Sequence, residues 1–428
     1  ADWFVLSQGN NVGRSVSYTL LPSELVSSVE VNKSSQAKLQ DGGTTGTVNV
    51  ITRKPLQFAK PFTAEGSIGA VYSDQADSYD PQLSALFNFK NEANTFGVML
   101  QAFSQKRELR REAQEVPGGF FEIGASDPVA LTNPDLIGVK VPGLLGSTLF
   151  EQTRERKGGL LSVQFKPSDD LTFGLNGFSS KMDANNYNRN FMMWGSAFAR
   201  SQAPDPGYVV KDGVLTQANY TGQPGTSYAV YDMIYREASS KTNYITFDTD
   251  WQINDNLGMK LQAGRTKGTG STPRQFIAEL TMANGGGASW TTHGKGSPVD
   301  WNVGGDLSPA AAAWGGTWGN QEVTAEDEEK FATVDFSHYF NSGVVSSIDF
   351  GARYADHRRE ALSPEGATPG DIWAALQGGA TANYPSGFAS GIGGSFPRNL
   401  WYFTPGALKD AILGNSEWLY DNDGPTGR

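Results

Sequence analysis

Residues 245–263 read ITFDTDWQINDNLGMKLQA. Ile245, Phe247, Thr249, Trp251 and Ile253 take every second position, while Tyr244, Thr246, Asp248, Asp250 and Gln252 take the alternate ones. Asn254-Asp255-Asn256 interrupts the pattern, and Leu257, Met259, Leu261 and Ala263 resume it. Alternation with period two means strands with two unlike faces. A polar turn this short between two such runs makes them an antiparallel hairpin.

The same unit recurs along the chain. Phe62 to Tyr72 alternates, as do Leu83-Ala85-Phe87-Phe89 and, after Asn91-Glu92-Ala93-Asn94, Phe96-Val98-Leu100-Ala102. Leu161-Val163-Phe165 is followed through Pro167 to Asp170 by Leu171-Phe173-Leu175. Ala332-Val334-Phe336 leads through Asn341-Ser342-Gly343 to Ile348-Phe350-Ala352-Tyr354. This reading contains nine strands. Long segments separate the tight turns: 107–154, 183–240, 268–327 and 359–428. Strict alternation of short and long connections, with one apolar and one polar strand face, is the pattern of an outer-membrane β-barrel. A soluble β-sandwich or propeller is the alternative, but its loops would not be long at every second connection.

Composition agrees. The 428 residues hold no Cys, which removes disulfide scaffolds, thiolate metal sites and Cys nucleophiles. The net charge of −11 argues against a nucleic-acid partner. Charged residues make up only 18%, so polarity comes from Asn, Gln, Ser, Thr and Gly. No apolar run approaches the ~18 residues of a membrane helix. The N-terminus lacks the basic start and apolar stretch of a signal peptide, and it does not begin with Met, so an upstream part is expected to be missing.

The first residues differ from the rest. Pro22 opens an expected short helix over Leu21–Val26, and Val29-Glu30-Val31 and Thr47 to Ile51 read as strands around a Gly-rich turn. The stretch LPSELVSSVEVNKSSQAKLQDGGTTGTVNVITRKPL (21–56) resembles the end of the plug domain of TonB-dependent outer-membrane receptors. The matching positions include Pro22, Glu24, Glu30, Lys33, Gly42, Gly43, Gly46, Asn49, Thr52, Arg53 and Pro55, with Thr44-Thr45 a minor departure. The resemblance runs from about Ser15 to Arg359. LLSVQFKPSDDLTFGLNGFSSKMDANNYNRNFM (160–192) and IDFGARYADHRRE (348–360) also resemble a branch of that family linked to carbohydrate uptake.

The resemblance implies a fragment of a transmembrane antiparallel β-barrel: 1–57 the C-terminal part of the plug, 58–428 the first part of the barrel with long extracellular loops. It further implies active import of a scarce solute, with a TonB-type inner-membrane protein pulling on a plug peptide. That peptide, the first half of the plug and the later strands of a roughly 22-strand barrel are expected outside this chain. An outer-membrane location and contact with lipopolysaccharide follow from the same resemblance.

Candidate sites lie in the long segments. Trp194, Trp290, Trp301, Trp314 and Trp318 offer rigid faces for stacking on sugar or aromatic ligands. Arg189 and Asn190, and Asp300 and Asn302 beside Trp301, are suited to hydroxyl recognition. The competing reading is that these Trp form small cores holding the loops together. Glu30 and Arg53 read as charges joining plug to barrel. Lys106, Arg107, Arg110, Arg111, Arg154, Arg156, Lys157, Arg265, Lys267, Arg358 and Arg359 gather at the long-loop ends, as a phosphate-facing collar or as solvated bases. Glu322, Glu326, Asp327, Glu328 and Glu329 read as a solvated loop, and Asp421-Asn422-Asp423-Gly424 lacks the downstream Glu of a calcium loop. His293, His338 and His357 show no metal spacing, and no enzyme motif or cofactor site is expected. The leading reading is an oligosaccharide importer. A ferric-siderophore receptor is the rival ligand class, and a passive porin or surface adhesin the rival mechanism.

Overall fold

The computed structural model describes residues 20–34, 39, 46–222, 228–282, 285–317, 322–362 and 372–415. Gly42, Gly43, Trp318 and the Asp421 to Gly424 stretch lie outside the described residues.

A short hairpin, β1 (Val26–Asn32) and β2 (Thr47–Thr52), precedes the main sheet. That sheet contains β3 (Phe62–Ser73), β4 (Ser78–Lys90), β5 (Phe96–Glu115), β6 (Leu145–Ser168), β7 (Leu171–Met193), β8 (Ala229–Asn254), β9 (Leu257–Met282), β10 (Val323–Tyr339) and β11 (Ser347–Leu362). Each pairs antiparallel with the next in chain order, and β3 and β11 form the two edges. This is a nine-strand segment of an up-and-down β-barrel wall, as the alternation predicts. The tight turns are built by short polar residues: Asn91 Oδ1 accepts the backbone N–H groups of Thr95 and Phe96 at 2.8 and 3.0 Å.

Strand length departs from expectation. The segments 107–154, 183–240 and 268–327 begin and end in paired strand, because β5 to β9 continue well past the last alternating apolar residue. Hydrophobic alternation marks only the part of a strand whose faces meet different media. The backbone ladder needs no such pattern to continue. Glu326 to Glu329 accordingly lie in β10, with cross-strand ion pairs from Arg265 to Glu328 (2.8 Å), Lys267 to Glu326 (2.6 Å) and Arg353 to Glu329 (2.8 Å). The helix expected over Leu21–Val26 is a 3-10 turn, Ser23–Leu25. The stretch after Leu362, expected to be loop throughout, contains two helices, α2 (Trp373–Gln377) and α3 (Pro405–Asn415), and a strand pair, Thr381–Asn383 with Trp401–Phe403.

The two faces of the wall meet different surroundings. Leu83, Phe87, Phe89, Leu100, Leu161, Phe165, Leu175, Ile245, Phe247, Trp251 and Phe350 share one parity and are exposed. Their rings touch across strands, Phe165 to Phe173 at 6.5 Å and Phe173 to Phe247 at 6.0 Å between centroids. The opposite parity is covered in its middle, over β4 to β8, by the described residues of the N-terminal segment. Leu25, 1% exposed, packs into a pocket of Leu86, Met99, Phe103, Leu160 and Phe178. A second and larger core forms at the far ends of β6 to β9, where the connecting segments and α1 (Gly195–Ser201), α2 and α3 pack together.

Truncating Leu25 to Ala should cost about 2–5 kcal/mol of N-terminal packing. Limited proteolysis should then cut within residues 20–57 at least tenfold faster, while the far-ultraviolet circular dichroism of the sheet stays unchanged.

Candidate functional site

The N-terminal segment meets the wall through polar anchors supplied by the strands' polar parity. Gln101 Nε2 donates to the Glu24 carbonyl at 2.7 Å, and Gln105 Nε2 to the Glu24 carboxylate at 3.0 Å. The Pro55 carbonyl accepts from Asn88 Nδ2 at 3.2 Å, and Gln164 Oε1 accepts the Leu56 N–H at 3.0 Å. Arg53 reaches Glu65 of β3 at 2.9 Å, so that charge joins segment to wall. Glu30 instead pairs within the hairpin, accepting from Asn49 Nδ2 at 3.5 Å. Pro22 precedes the 3-10 turn, Lys33 is exposed beyond β1, and Thr52 ends β2. Gly46 has φ +135°, and a Cβ there would lie 2.6 Å from the Asn32 carbonyl oxygen, which explains a glycine at this turn.

A cleft of about 590 Å³ opens between β2 and the polar parity of β7 to β10. Lys54 extends across it to Asp248 at 3.3 Å, with both side chains largely shielded. Asn176 Nδ2 donates to the other Asp248 oxygen at 3.1 Å and to Thr246 Oγ1 at 3.3 Å. Gly174 faces Asp248 across the strand pair, and a Cβ there would sit 2.0 Å from a carboxylate oxygen. The glycine therefore makes the room in which Asp248 turns toward Lys54. Sequence reasoning placed Asp248 on the polar face but did not single out Lys54. Its one signal was a base within the plug-like stretch.

Of the predicted ligand residues, Arg189, Trp290, Trp301 and Trp314 converge on the far core. Arg189 is 1% exposed and holds Glu151 through both terminal nitrogens at 2.9 Å. It also donates to the Leu149 and Tyr187 carbonyls at 3.3 and 3.2 Å. Its guanidinium lies between the rings of Tyr187 and Tyr402, 4.6 and 4.5 Å from their centroids. The Tyr384 hydroxyl donates to the Arg189 carbonyl at 3.0 Å, and Tyr187 to the Phe403 carbonyl at 2.7 Å. Burial pushes the Tyr384 hydroxyl well above its ordinary pKa. In this arrangement Arg189 ties β6 and β7 to residues 372–415.

Trp290 and Trp301 are 1% and 2% exposed in the same core. Trp290 stacks on Tyr220 at 5.3 Å and donates to the Leu215 carbonyl at 3.0 Å, while Trp301 stacks on Phe191 at 6.0 Å. Trp314 packs against this core from its edge. Trp194 is half exposed at the start of α1, and Asn302 is exposed on the strand carrying Trp301. Asp300 accepts from the Ser395 N–H and pairs with His293 at 2.8 Å, contacts that hold its carboxyl below the usual range. Asn190 lies on the opposite parity from Arg189, beside Thr148 and Asp232, and its buried Oδ1 has no partner among the described residues. Thus the structure collects Arg189, Trp290, Trp301 and Trp314 in one packed core and leaves Trp194, Asn190 and Asn302 outside it. Among the described residues no group of three or more acidic or His side chains is placed to hold a metal.

Comparison with known proteins adds little. No family model and no curated protein matches this chain. Among solved structures it is similar to the siderophore receptor PiuA from Acinetobacter baumannii, at 12% identity and a TM-score of 0.24. The alignment covers 87% of this chain and 57% of that one, so the chain spans little more than half of the receptor it matches. A superposition this loose carries no argument about the site.

Two outcomes are expected. Arg189→Met removes four hydrogen bonds from the charged guanidinium and both ring contacts, so it should cost about 2–4 kcal/mol. Hydrogen exchange should localise the loss to residues 372–403. The second concerns Asp127, whose carboxyl the Arg200 guanidinium, at 2.8 and 2.9 Å, and the Gly124 N–H hold below its usual pKa. A depressed folded pKa gives stabilisation that is complete above the unfolded value near ~3.9 and lost as pH falls through the folded one. Exchange protection around residues 124–136 should hold from pH 7 to about 4 and collapse below, whereas Asp127→Asn should lack the step.

Proposed function

We propose that this chain is part of a TonB-dependent outer-membrane receptor that imports a scarce solute, residues 1–57 ending its plug and 58–428 beginning its barrel. One observation carries the reading: a nine-strand antiparallel wall leaves its apolar face exposed while a separate N-terminal segment covers the middle of its polar face, over β4 to β8. Lipid accepts the first face, because along the belt the interior strands pair their backbone groups laterally with both neighbours. The second face would be the lumen, and Leu25, Glu24 and Pro55 hold the segment within it. A passive porin leaves that side open, so the anchors disfavour it.

A plug that must move is expected to be held by polar contacts that water can replace, and Lys54–Asp248 beside the open cleft is such a contact. The energy source in this reading is a TonB-type protein acting on a segment N-terminal to the described hairpin. The ligand is an oligosaccharide or a ferric siderophore. Burial of Trp290 and Trp301 removes two of the stacking faces that favoured a sugar, and leaves Trp194 and Asn302 as the accessible candidates.

The test is uptake by cells carrying the intact receptor, before and after a protonophore collapses the proton gradient. Import should stop, and uptake that persists would overturn energy coupling. Tryptophan fluorescence titrated with neutral oligosaccharides and with ferric chelates should show saturable quenching by one class alone, diminished in Trp194→Ala. Opening the plug contact by Gly174→Ala should displace Asp248 and raise uptake or leakage of small solutes severalfold, measured by vesicle swelling.

A further inference from the structure

The register of the wall places three lysines side by side. Lys157 of β6 pairs directly with Lys181 of β7, which pairs directly with Lys241 of β8. Neighbouring strands lie ~4.8 Å apart, so three ammonium groups are rooted within about 10 Å. Like charges directly opposite in a sheet destabilise it. The row therefore concentrates like charge that two flanking ion pairs, from Glu155 and Asp183, only partly offset.

The parity is equally specific. Lys157 shares its face with Leu161 and Phe165, Lys181 with Phe173 and Leu175, and Lys241 with Ile245 and Phe247. No register shift interrupts β6, β7 or β8 between the lysines and these residues. The row thus crowns the exposed apolar belt on its own face. By contrast Arg107, Arg111, Arg154 and Arg156, expected in the collar, have the other parity, and Arg156 donates to Gln105 there. Sequence position alone could not separate these two sets of bases.

Between belt and lysines runs a row of small or polar residues, Gly159, Ser179 and Asn243. Ser179 donates to Asn243 Oδ1 at 2.8 Å, and a Cβ at Gly159 would meet the Gln101 carbonyl oxygen at 2.6 Å. The result is a low step beneath flexible side chains that can bend down over it. The acidic neighbours lie above the row: Glu155 is 3.4 Å from Lys157 and Asp183 is 2.9 Å from Lys181. No ion pair of Lys241 is seen among the described residues. All three lysine side chains are exposed, so surface pairs of this kind contribute little and leave charge to spare.

We infer that Lys157, Lys181 and Lys241 form a binding site for the phosphate of a lipid headgroup at the outer edge of the apolar belt. The ammonium groups supply point charges suited to a phosphate monoester, and the belt beneath receives the acyl chains of the same molecule. An anion bridging the row would convert its mutual repulsion into attraction. This inference rests on the proposed placement of the apolar face in lipid.

The experiment uses the full chain in detergent micelles, with lipid retention counted by native mass spectrometry. Phosphatidic acid and phosphatidylcholine are the probes, and inorganic phosphate is the soluble control. K157Q/K181Q/K241Q should weaken phosphatidic acid retention at least tenfold and leave phosphatidylcholine unchanged. The corresponding triple Arg variant should retain it, which separates loss of charge from loss of fold. K140Q/K211Q/K295Q, in the connecting segments, should behave as the parent. Equal retention of phosphatidic acid by the triple Gln variant would overturn the site, and so would displacement by millimolar inorganic phosphate, which would mark a free-anion site. Failure of the parent chain to enter phosphatidylcholine vesicles at all would instead count against the membrane placement.

Discussion

A lateral ladder of backbone hydrogen bonds joining β3 to β11 in chain order is the constraint on which everything else depends. Each strand pairs with its neighbours in chain order, so the sheet needs no crossover and between register shifts a side chain's direction follows from its parity. One parity can then be apolar and exposed while the other is polar and covered. Without that ladder neither the belt of Phe165, Phe173 and Phe247 nor the anchors at Gln101, Gln164 and Asp248 would fall on a common face.

The two covered regions solve different problems. Near the tight turns, the described residues of the N-terminal segment are held by Leu25 with Leu21 and Pro55, by single hydrogen bonds and by two ion pairs. Such an interface is specific in position but limited in apolar area. At the far ends, a continuous aromatic core around Arg189, Trp290, Trp301 and Trp401 joins strands and connecting segments into one unit. A buried arginine there is tolerable because Glu151, two backbone carbonyls and two tyrosine rings surround its charge. The contrast in packing fits the proposed function, in which the segment moves and the loop assembly keeps its shape.

Much of the fold was legible in the chain. The nine strands and their tight turns came from period-two alternation, because a strand between unlike media must alternate. Strand ends were not legible: β7 runs to Met193 and β8 begins at Ala229, since ladder pairing continues where neither face is bound by that rule. The candidate ligand residues illustrate the harder limit. A tryptophan in a long segment is equally suited to stack on a ligand or on Tyr220, and composition does not distinguish the two.

The sequence by itself determined that the chain makes a meander of amphipathic strands, preceded by a distinct N-terminal hairpin around a Gly-rich turn. Periodicity and local turn chemistry are short-range properties, and they are written in consecutive residues. Only the tertiary structure decided which charges share a face and which partners they meet. Lys54 finds Asp248 across 194 positions, Arg189 sits between Tyr187 and Tyr402, and Lys157, Lys181 and Lys241 line up across three strands. Register sets those meetings, and register is a relation between strands that no single stretch of sequence contains.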